Sequence, residues 1–358
     1  LGGFKNPTIV NTKTWGGATL PHFEVDMKYL TKTWGGATLP HFEVDMKYLT
    51  KTWGGATLPH FEVDMKYLVT GGAGFIGSHL CEELLKHGEV VCVDNLVAGK
   101  VDNFRHLIGK GFVSKTKDVL DLDEKDFEDI DYVFHNAASK CTVCRDNPRR
   151  DFEVNAWGSW NVFECARKAG VKKVIHASTG STMKGKPASF YGASKLAGEA
   201  YAGIFSNYYP DFKHTVLRYY HVFGPRQEYS WFGGVIPIFI WGVLGGHPIT
   251  IYGDGEQVRH FTSVKDVVRA NLFAINHGDG EDYNIPSDTT ITINQLAHQI
   301  YSAFDKKPDI RYEAERPGDI KTFSVSNEKI KRLGFEFEES FDDYLQETID
   351  WYTKKWKS

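Results

Sequence analysis

From residue 65 onward the chain alternates short apolar runs with longer stretches in which apolar residues recur every three or four positions. The runs at 67–69, 89–94, 112–117, 130–134 and 174–179 have the length and composition of buried strands. Helical spacing is expected at 80–87, 151–169, 191–195, 291–304 and 341–352, the last with Tyr344, Leu345, Ile349 and Tyr352 on recurring apolar positions. In the 151–169 segment, Phe152, Val154, Trp157, Trp160, Val162 and Phe163 predict a packing surface, and Asn155 either bridges toward a site or makes a structural hydrogen bond. Strands separated by helices in this order predict an α/β protein.

The first strand runs into T-G-G-A-G-F-I-G-S-H-L at residues 70–80. Gly71 permits a tight turn, Gly74 lets backbone approach a ligand, and Gly77 allows close packing of the following helix, so a pyrophosphate can sit on the free N–H groups at the helix start, beside Phe75 and Ile76. Asp94 ends the next strand, where a carboxylate can accept adenosine ribose hydroxyls and repel a 2'-phosphate. NAD is therefore expected over NADP. Asn95 adjoins that carboxylate, and Asp118, followed by Val119, is either an acceptor for an adenine amino group or a solvated turn residue. Farther on, His135-Asn-Ala-Ala-Ser-Lys140 places small Ala137 and Ala138 where a nicotinamide or its ribose would lie, with Lys140 within reach of a hydroxyl or phosphate.

A 19-residue block, T-K-T-W-G-G-A-T-L-P-H-F-E-V-D-M-K-Y-L, repeats without mismatch at 12–30, 31–49 and 50–68. Stacked repeats bury a shared core and end in atypical caps. Here the units are identical and the last merges with the first strand, so residues 1–64 read either as a genuine repeat domain or, in better keeping with the missing caps, as a duplication from tagging, cloning or sequence assembly with Met65 a natural start. No catalytic role is expected of them.

The apolar fraction of 41% over 358 residues supports a substantial core. A formal charge of −4 gives no reason to expect nucleic-acid binding, and no uncharged apolar run is long enough for a membrane helix. The residues after Lys5 do not form a secretory signal, so the cytoplasm is expected. Cys81, Cys92 and Cys165 fall in apolar patterns as core thiols, and Cys141 and Cys144 form a C-x-x-C with no second pair to complete a zinc site, so no metal is expected.

The sharpest chemical signal is Tyr191 and Lys195, four residues apart and so on one helical face. An ammonium beside the phenol stabilises its ionised form, which lets Tyr191 act as a base near neutral pH. Thr179, at the end of the preceding strand, can share the substrate's hydroxyl proton, with Ser178 as its nearest rival.

Together these motifs, with L-R-Y-Y-H-V-F-G-P-R-Q, I-Y-G-D-G-E-Q-V-R-H-F and R-P-G-D-I, make residues 65–352 resemble the extended short-chain dehydrogenase/reductase family, particularly its NAD-dependent nucleotide-sugar epimerases and dehydratases. The resemblance implies a Rossmann-type doubly wound parallel sheet, mainly residues 65–230, and a smaller nucleotide-sugar domain, mainly 231–358, with some interleaving. It implies that Tyr191 is the base, Lys195 its partner and Thr179 the orienting hydroxyl, that Gly71, Gly74, Gly77, Asp94, Asp118 and Lys140 hold NAD, and that Arg259 and Arg316 bind the substrate pyrophosphate. It also implies a homodimer through the 151–169 helix and the Tyr191 helix. Departures from the family pattern are His221 for asparagine, Gly234 for another asparagine, His260 for aspartate, Pro286 for glycine, and a short 180–190 connection that opens the site.

Family dehydratases carry an acid and base at the strand end, and related decarboxylases a glutamate, where this chain has Gly180-Ser181. The expected reaction is therefore 4-epimerisation of a nucleotide sugar through a 4-keto intermediate, with UDP-glucose and UDP-galactose preferred because Phe323 matches a position lining the sugar C2 side. The alternatives are a nucleotide-sugar 4,6-dehydratase or decarboxylase, and a non-enzymatic NAD-responsive interaction protein.

Overall fold

The computed structural model describes residues 27–34, 37–44, 65–109, 111–140, 147–180, 182, 187, 189–230, 233–315 and 325–357. The chain separates into two compact units, Leu1–Phe61 and Glu62–Ser358. In the first, strands β1 (Met27–Trp34) and β2 (Ala37–Val44) pair antiparallel, Met27 opposite Val44 and Trp34 opposite Ala37. Each strand draws on the repeated block, β1 spanning the junction of its first two copies.

The second unit is organised by a seven-stranded parallel sheet. In chain order its elements begin with β3 (Met65–Thr70), helix α1 (Phe75–Leu84), β4 (Gly88–Asp94), β5 (Phe112–Thr116) and β6 (Tyr132–His135). A helical stretch follows as α2 (Pro148–Phe152), a π-turn (Glu153–Trp157) and α3 (Gly158–Lys168). Then come β7 (Lys173–Thr179), α4 (Phe190–Tyr208) and β8 (His214–Tyr219). The C-terminal half adds α5 (Val235–Leu244), β9 (Ile249–Tyr252), β10 (Val258–His260), α6 (Val264–Asn276), β11 (Glu281–Ile285), β12 (Thr290–Thr292), α7 (Ile293–Ala303), β13 (Ile310–Glu313), α8 (Glu328–Lys331) and α9 (Phe341–Lys357). The sheet order is β11-β8-β7-β6-β3-β4-β5, which is the Rossmann order with one strand added beyond β8. That added strand comes from the C-terminal half, so the halves interleave. Outside the sheet, β9 pairs parallel with β13 and β10 antiparallel with β12.

Strand periodicity explains why the sheet is sealed. Val90 and Cys92 face one hydrophobic cluster with Tyr67, Val69, Phe134, Ile175 and Leu217, while Val91 and Val93 face the other with Leu68, Val133, Val174 and Val216. Successive residues point to opposite faces, and both faces are covered. Cys81, Cys92 and Cys165 are buried free thiols, as their apolar surroundings in sequence imply. Burial pushes the Cys165 thiol up to about 11 and raises the Cys81 thiol well above its ordinary value.

Two expected helices differ in detail. The helix expected over 80–87 starts at Phe75, because helical hydrogen bonding begins directly after the glycine turn: the Ser78 N–H donates to the Gly74 carbonyl. The helix expected over 151–169 contains the π-turn, which has no periodic signature in the sequence. Val154, Val162 and Phe163 are buried as the apolar spacing predicts, but Phe152 and Trp157 are exposed.

The buried Lys173 ties the start of β7 to the end of α6. Its ammonium donates to the carbonyls of Ala274 and His277, both at 2.6 Å, and pairs with Asp279 at 2.7 Å. These are carbonyls a helix end cannot satisfy by itself. Replacing Lys173 with Met should cost roughly 3 kcal/mol by stranding those acceptors. A shift in urea-unfolding free energy below about 1 kcal/mol would show the cap to be dispensable.

Candidate active site

The glycine turn after β3 is dictated by sterics. Gly71 has φ +69°, and a Cβ there would lie 2.8 Å from the Ala137 nitrogen; a Cβ on Gly77 would lie 2.1 Å from the Gly71 carbonyl oxygen. Only residues without side chains let β3, the loop after β6 and the start of α1 converge. The N-cap of α1 is Gly74, with no side-chain cap, so the first-turn N–H groups of Phe75, Ile76 and Gly77 are left for a ligand.

These residues line an open cavity of about 360 Å³ along the carboxyl edge of the sheet. Its wall also contains Asp94, Asn95, Asp118, Val119, Ala137, Ala138, Lys140, Ser178, Tyr191 and Lys195. Three sites expected from sequence stand apart from that wall: Thr179, half-buried at the end of β7; His221, at φ +35° with its ring 5.8 Å from that of Phe261; and Arg259, buried on β10. So does His260, a departure from the family pattern, whose Nδ1 lies 2.9 Å from the Ser287 carbonyl oxygen. Arg316, Phe323, Cys141 and Cys144 lie outside the described residues.

Asp94 is fixed by two backbone donors, the N–H of Ala73 at 3.0 Å and that of Leu96 at 2.8 Å. Burial raises its pKa, and those two hydrogen bonds partly offset the rise. Asp118 is more heavily engaged than its place in an acidic run implies: Asn95 donates to it at 2.8 Å, Leu120 N–H at 3.1 Å, and Arg150 forms a close ion pair. Burial raises its pKa, but these donors outweigh burial and hold it below the ordinary value. An adenine amino group would thus meet a carboxylate already oriented by three partners. Arg150 has no local motif that marks it.

Lys195 is buried, and desolvation lowers its pKa to about 8 against the opposing pull of Glu199 and Asp151. Beneath it the π-turn directs Asn155 inward. Its side chain accepts from Ser139 N–H at 2.8 Å and donates toward Asp151 at 2.8 Å and Ser194 at 3.1 Å, joining the loop after β6 to the helix of Tyr191 and Lys195. His135, fully buried between Thr70 and Ser159, is held neutral, its pKa pushed to about 3 by desolvation and then by Lys195. Sequence spacing misses three further residues. Arg226, at φ +68° in the cavity wall, pairs with Glu82 on α1 at 2.5 Å. Glu199 and Arg218 pair at 2.6 Å behind Ser178.

Among the described residues, no three His, Cys, Asp or Glu side chains gather to hold a metal, and no helix is long and apolar enough to cross a membrane. An extended anion with a ribose at one end fits this cavity: bare helix N–H groups meet its phosphates and Asp94 its hydroxyls.

Comparison with known proteins agrees with this fit. The model of the NAD dependent epimerase/dehydratase family matches residues 67–286. The crystal structure of Thermotoga maritima UDP-glucose 4-epimerase with UDP-glucose is similar at 37% identity and a TM-score of 0.77, covering 82% of this chain and 100% of that one. UDP-glucose 4-epimerase of Mycolicibacterium smegmatis is 32% identical over 316 residues, 80% of this chain and 98% of the relative. The UDP-N-acetyl-alpha-D-glucosaminuronate decarboxylase of Bacillus cytotoxicus is 33% identical over 318 residues, 79% of this chain and 96% of the relative.

Gly77→Ala should abolish measurable NAD binding by calorimetry while leaving a folded protein, because its methyl group must displace the glycine turn. Wild-type affinity in that variant would mean that the turn does not form the cofactor cradle.

Proposed function

The chain belongs to the NAD-dependent epimerase/dehydratase family, and from that premise we propose that it interconverts C4 epimers of a nucleotide sugar, UDP-glucose and UDP-galactose in the first instance. It is an NAD-dependent enzyme. The observation that carries the choice of reaction is the set of groups around Tyr191 and Lys195. Both line the cavity beside Ala177 and Ser178, and the strand end continues into Gly180 without a carboxylate. The buried carboxylate nearest in bonding to that edge, Glu199, is occupied by Ser178, Thr182 and Arg218. Elimination of water, or loss of a carboxylate, needs an additional acid or base that the described residues of this edge do not offer.

NAD, when bound, would supply reversible hydride acceptance. Gly71, Gly74 and Gly77 would admit its pyrophosphate to the α1 N–H groups; Asp94 would accept hydrogen bonds from its ribose hydroxyls; Ala137 and Ala138 would lie against the nicotinamide or its ribose, and Lys140 would reach a hydroxyl or phosphate. Tyr191 takes the proton of the sugar C4 hydroxyl and gives it back after the 4-keto sugar has turned. Lys195, as an ammonium, stabilises the Tyr191 phenolate by charge. Thr179 or Ser178 orients the reacting oxygen, and His221 faces the sugar. Arg259 and Arg316 hold the substrate pyrophosphate through paired guanidinium contacts while the sugar moves. By the family position it matches, Phe323 would narrow the C2 side against an N-acetyl group.

The enzyme works as a cytoplasmic homodimer. Phe152 and Trp157 on the α2–α3 stretch, with Phe190, Ile204 and Tyr208 on α4, leave an aromatic surface exposed on two adjacent helices, which suits a four-helix contact.

Purified protein with NAD should interconvert UDP-glucose and UDP-galactose, and Tyr191→Phe should lower kcat by about 10²- to 10⁴-fold. A 4-keto-6-deoxy product, or unchanged turnover in the variant, contradicts the assignment. Turnover should fall as pH rises through about 8, where the Lys195 ammonium loses its proton; a rate still climbing beyond pH 9 would be incompatible with that role. Light scattering should find a dimer that Trp157→Asp with Ile204→Asp converts to monomer, whereas a wild-type monomer at assay concentration would remove the interface.

A further inference from the structure

We propose that Glu199 is a positioning residue for the reaction: its buried carboxylate ties the hydroxyl-bearing end of β7 to the helix carrying Tyr191 and Lys195, and supplies part of the negative charge that balances Lys195. The inference rests on the reading of Tyr191 and Lys195 as the reacting pair.

The geometry is a hub. Glu199 lies on α4, one turn beyond Lys195 and two beyond Tyr191. Its Oε1 accepts from the Ser178 hydroxyl at 2.5 Å, Arg218 Nε at 3.0 Å and the Thr182 hydroxyl at 2.6 Å, whose one proton is shared with the Thr179 carbonyl at 2.8 Å; its Oε2 accepts from Arg218 Nη2 at 2.6 Å. Arg218, on β8, extends its other arm to Asp282 on β11 at 2.6 Å. One carboxylate thus fixes three neighbouring elements and the start of the short connection after β7. Thr182 is buried, so that connection is pinned within three residues of Thr179.

Because this carboxylate offers about four acceptor positions and the donors fill them, Glu199 has no capacity left for substrate and does not line the cavity. It acts through others. A hydroxyl has one proton, and Ser178 directs its own toward Glu199, so Ser178 presents oxygen lone pairs to the cavity and accepts from a sugar hydroxyl other than the C4 hydroxyl, whose proton goes to Tyr191.

The charge argument runs in parallel. Arg218 is shared between Glu199 and Asp282, which leaves the trio with a net negative charge. Besides Tyr191, its partner in the proposed reaction, the ionisable groups facing Lys195 are Glu199 on its own helix, Asp151 from α2, and His135 and His176 from β6 and β7. Burial keeps both histidines neutral, and with Tyr191 un-ionised it is the two carboxylates that favour the ammonium against desolvation.

The test compares Glu199→Gln, which keeps an acceptor and loses the charge, with Glu199→Asp, which keeps the charge and loses reach. Lys195 is titrated by NMR in protein carrying 13Cε-lysine, a readout that needs no turnover, and kcat, KM and Tm are measured alongside. In Glu199→Gln the Lys195 midpoint should move to lower pH, the basic limb of kcat should follow it, and kcat should fall roughly 10- to 100-fold with little change in KM. Glu199→Asp should return the midpoint toward wild type without restoring kcat. Thr182→Val, which carries no charge change, covers the case in which Glu199→Gln does not fold; it should lower kcat and leave Lys195 unmoved. An unchanged Lys195 midpoint in folded Glu199→Gln, with the loss confined to Tm, overturns the proposal, as does wild-type kcat in Thr182→Val. A wild-type protein that turns over no nucleotide sugar counts against the proposed reaction, whereas the Lys195 titration reports on Glu199 alone.

Discussion

A parallel sheet covered by side chains on both faces leaves its carboxyl edge as the place where polar groups can meet a ligand, and this constraint arranges everything else in the unit. Leu68 and Val69 seal opposite faces of β3, and the same alternation repeats through β4, β6, β7 and β8. Asp94 follows the last buried residue of β4, the Ala137 loop follows β6, and Ser178 and Thr179 end β7. Chemistry collects where the pleat runs out. The glycine turn belongs to the same logic, since α1 can cover the sheet closely only if Gly77 brings no methyl group against the Gly71 carbonyl.

The site is electrostatically uneven by design of its surroundings. Its cofactor end offers N–H groups and an oriented carboxylate, whereas its reacting end buries a lysine among neutral histidines and two carboxylates. Burial alone would discharge Lys195; Asp151 and Glu199 oppose that. The ammonium can therefore be strongly felt by Tyr191 in a poorly solvated place, where charge interactions are larger than in water. Positioning and charge are supplied by the same residues, because the groups that orient the helix also set the field around it.

Much of this was legible because it depends on local spacing. The strands, the glycine turn, Asp94 and the Tyr191–Lys195 pair each occupy a few consecutive residues with a period or motif that physical rules recognise. Glu199, Arg218 and Asp282 form a unit only after β8 and β11 are placed side by side in register, with Arg218 opposite Asn284 and Asp282 opposite Val216. The Arg150–Asp118 pair joins residues 32 positions apart. Neither leaves a local trace. The π-turn at Glu153–Trp157 is hidden for another reason: the apolar spacing around it is ordinary, and what it changes is the direction of Asn155. Arg259 is marked in the sequence by its motif, and the structure puts it on β10, outside the cavity wall and in the C-terminal half.

The central claim is that this edge removes hydride from C4 of a nucleotide sugar and returns it to the same carbon. The most direct measurement is the fate of deuterium in UDP-[4-²H]glucose, followed by mass spectrometry and NMR of the isolated product. The account predicts UDP-galactose with deuterium retained at C4. Deuterium found at C6, or lost to solvent, would contradict it.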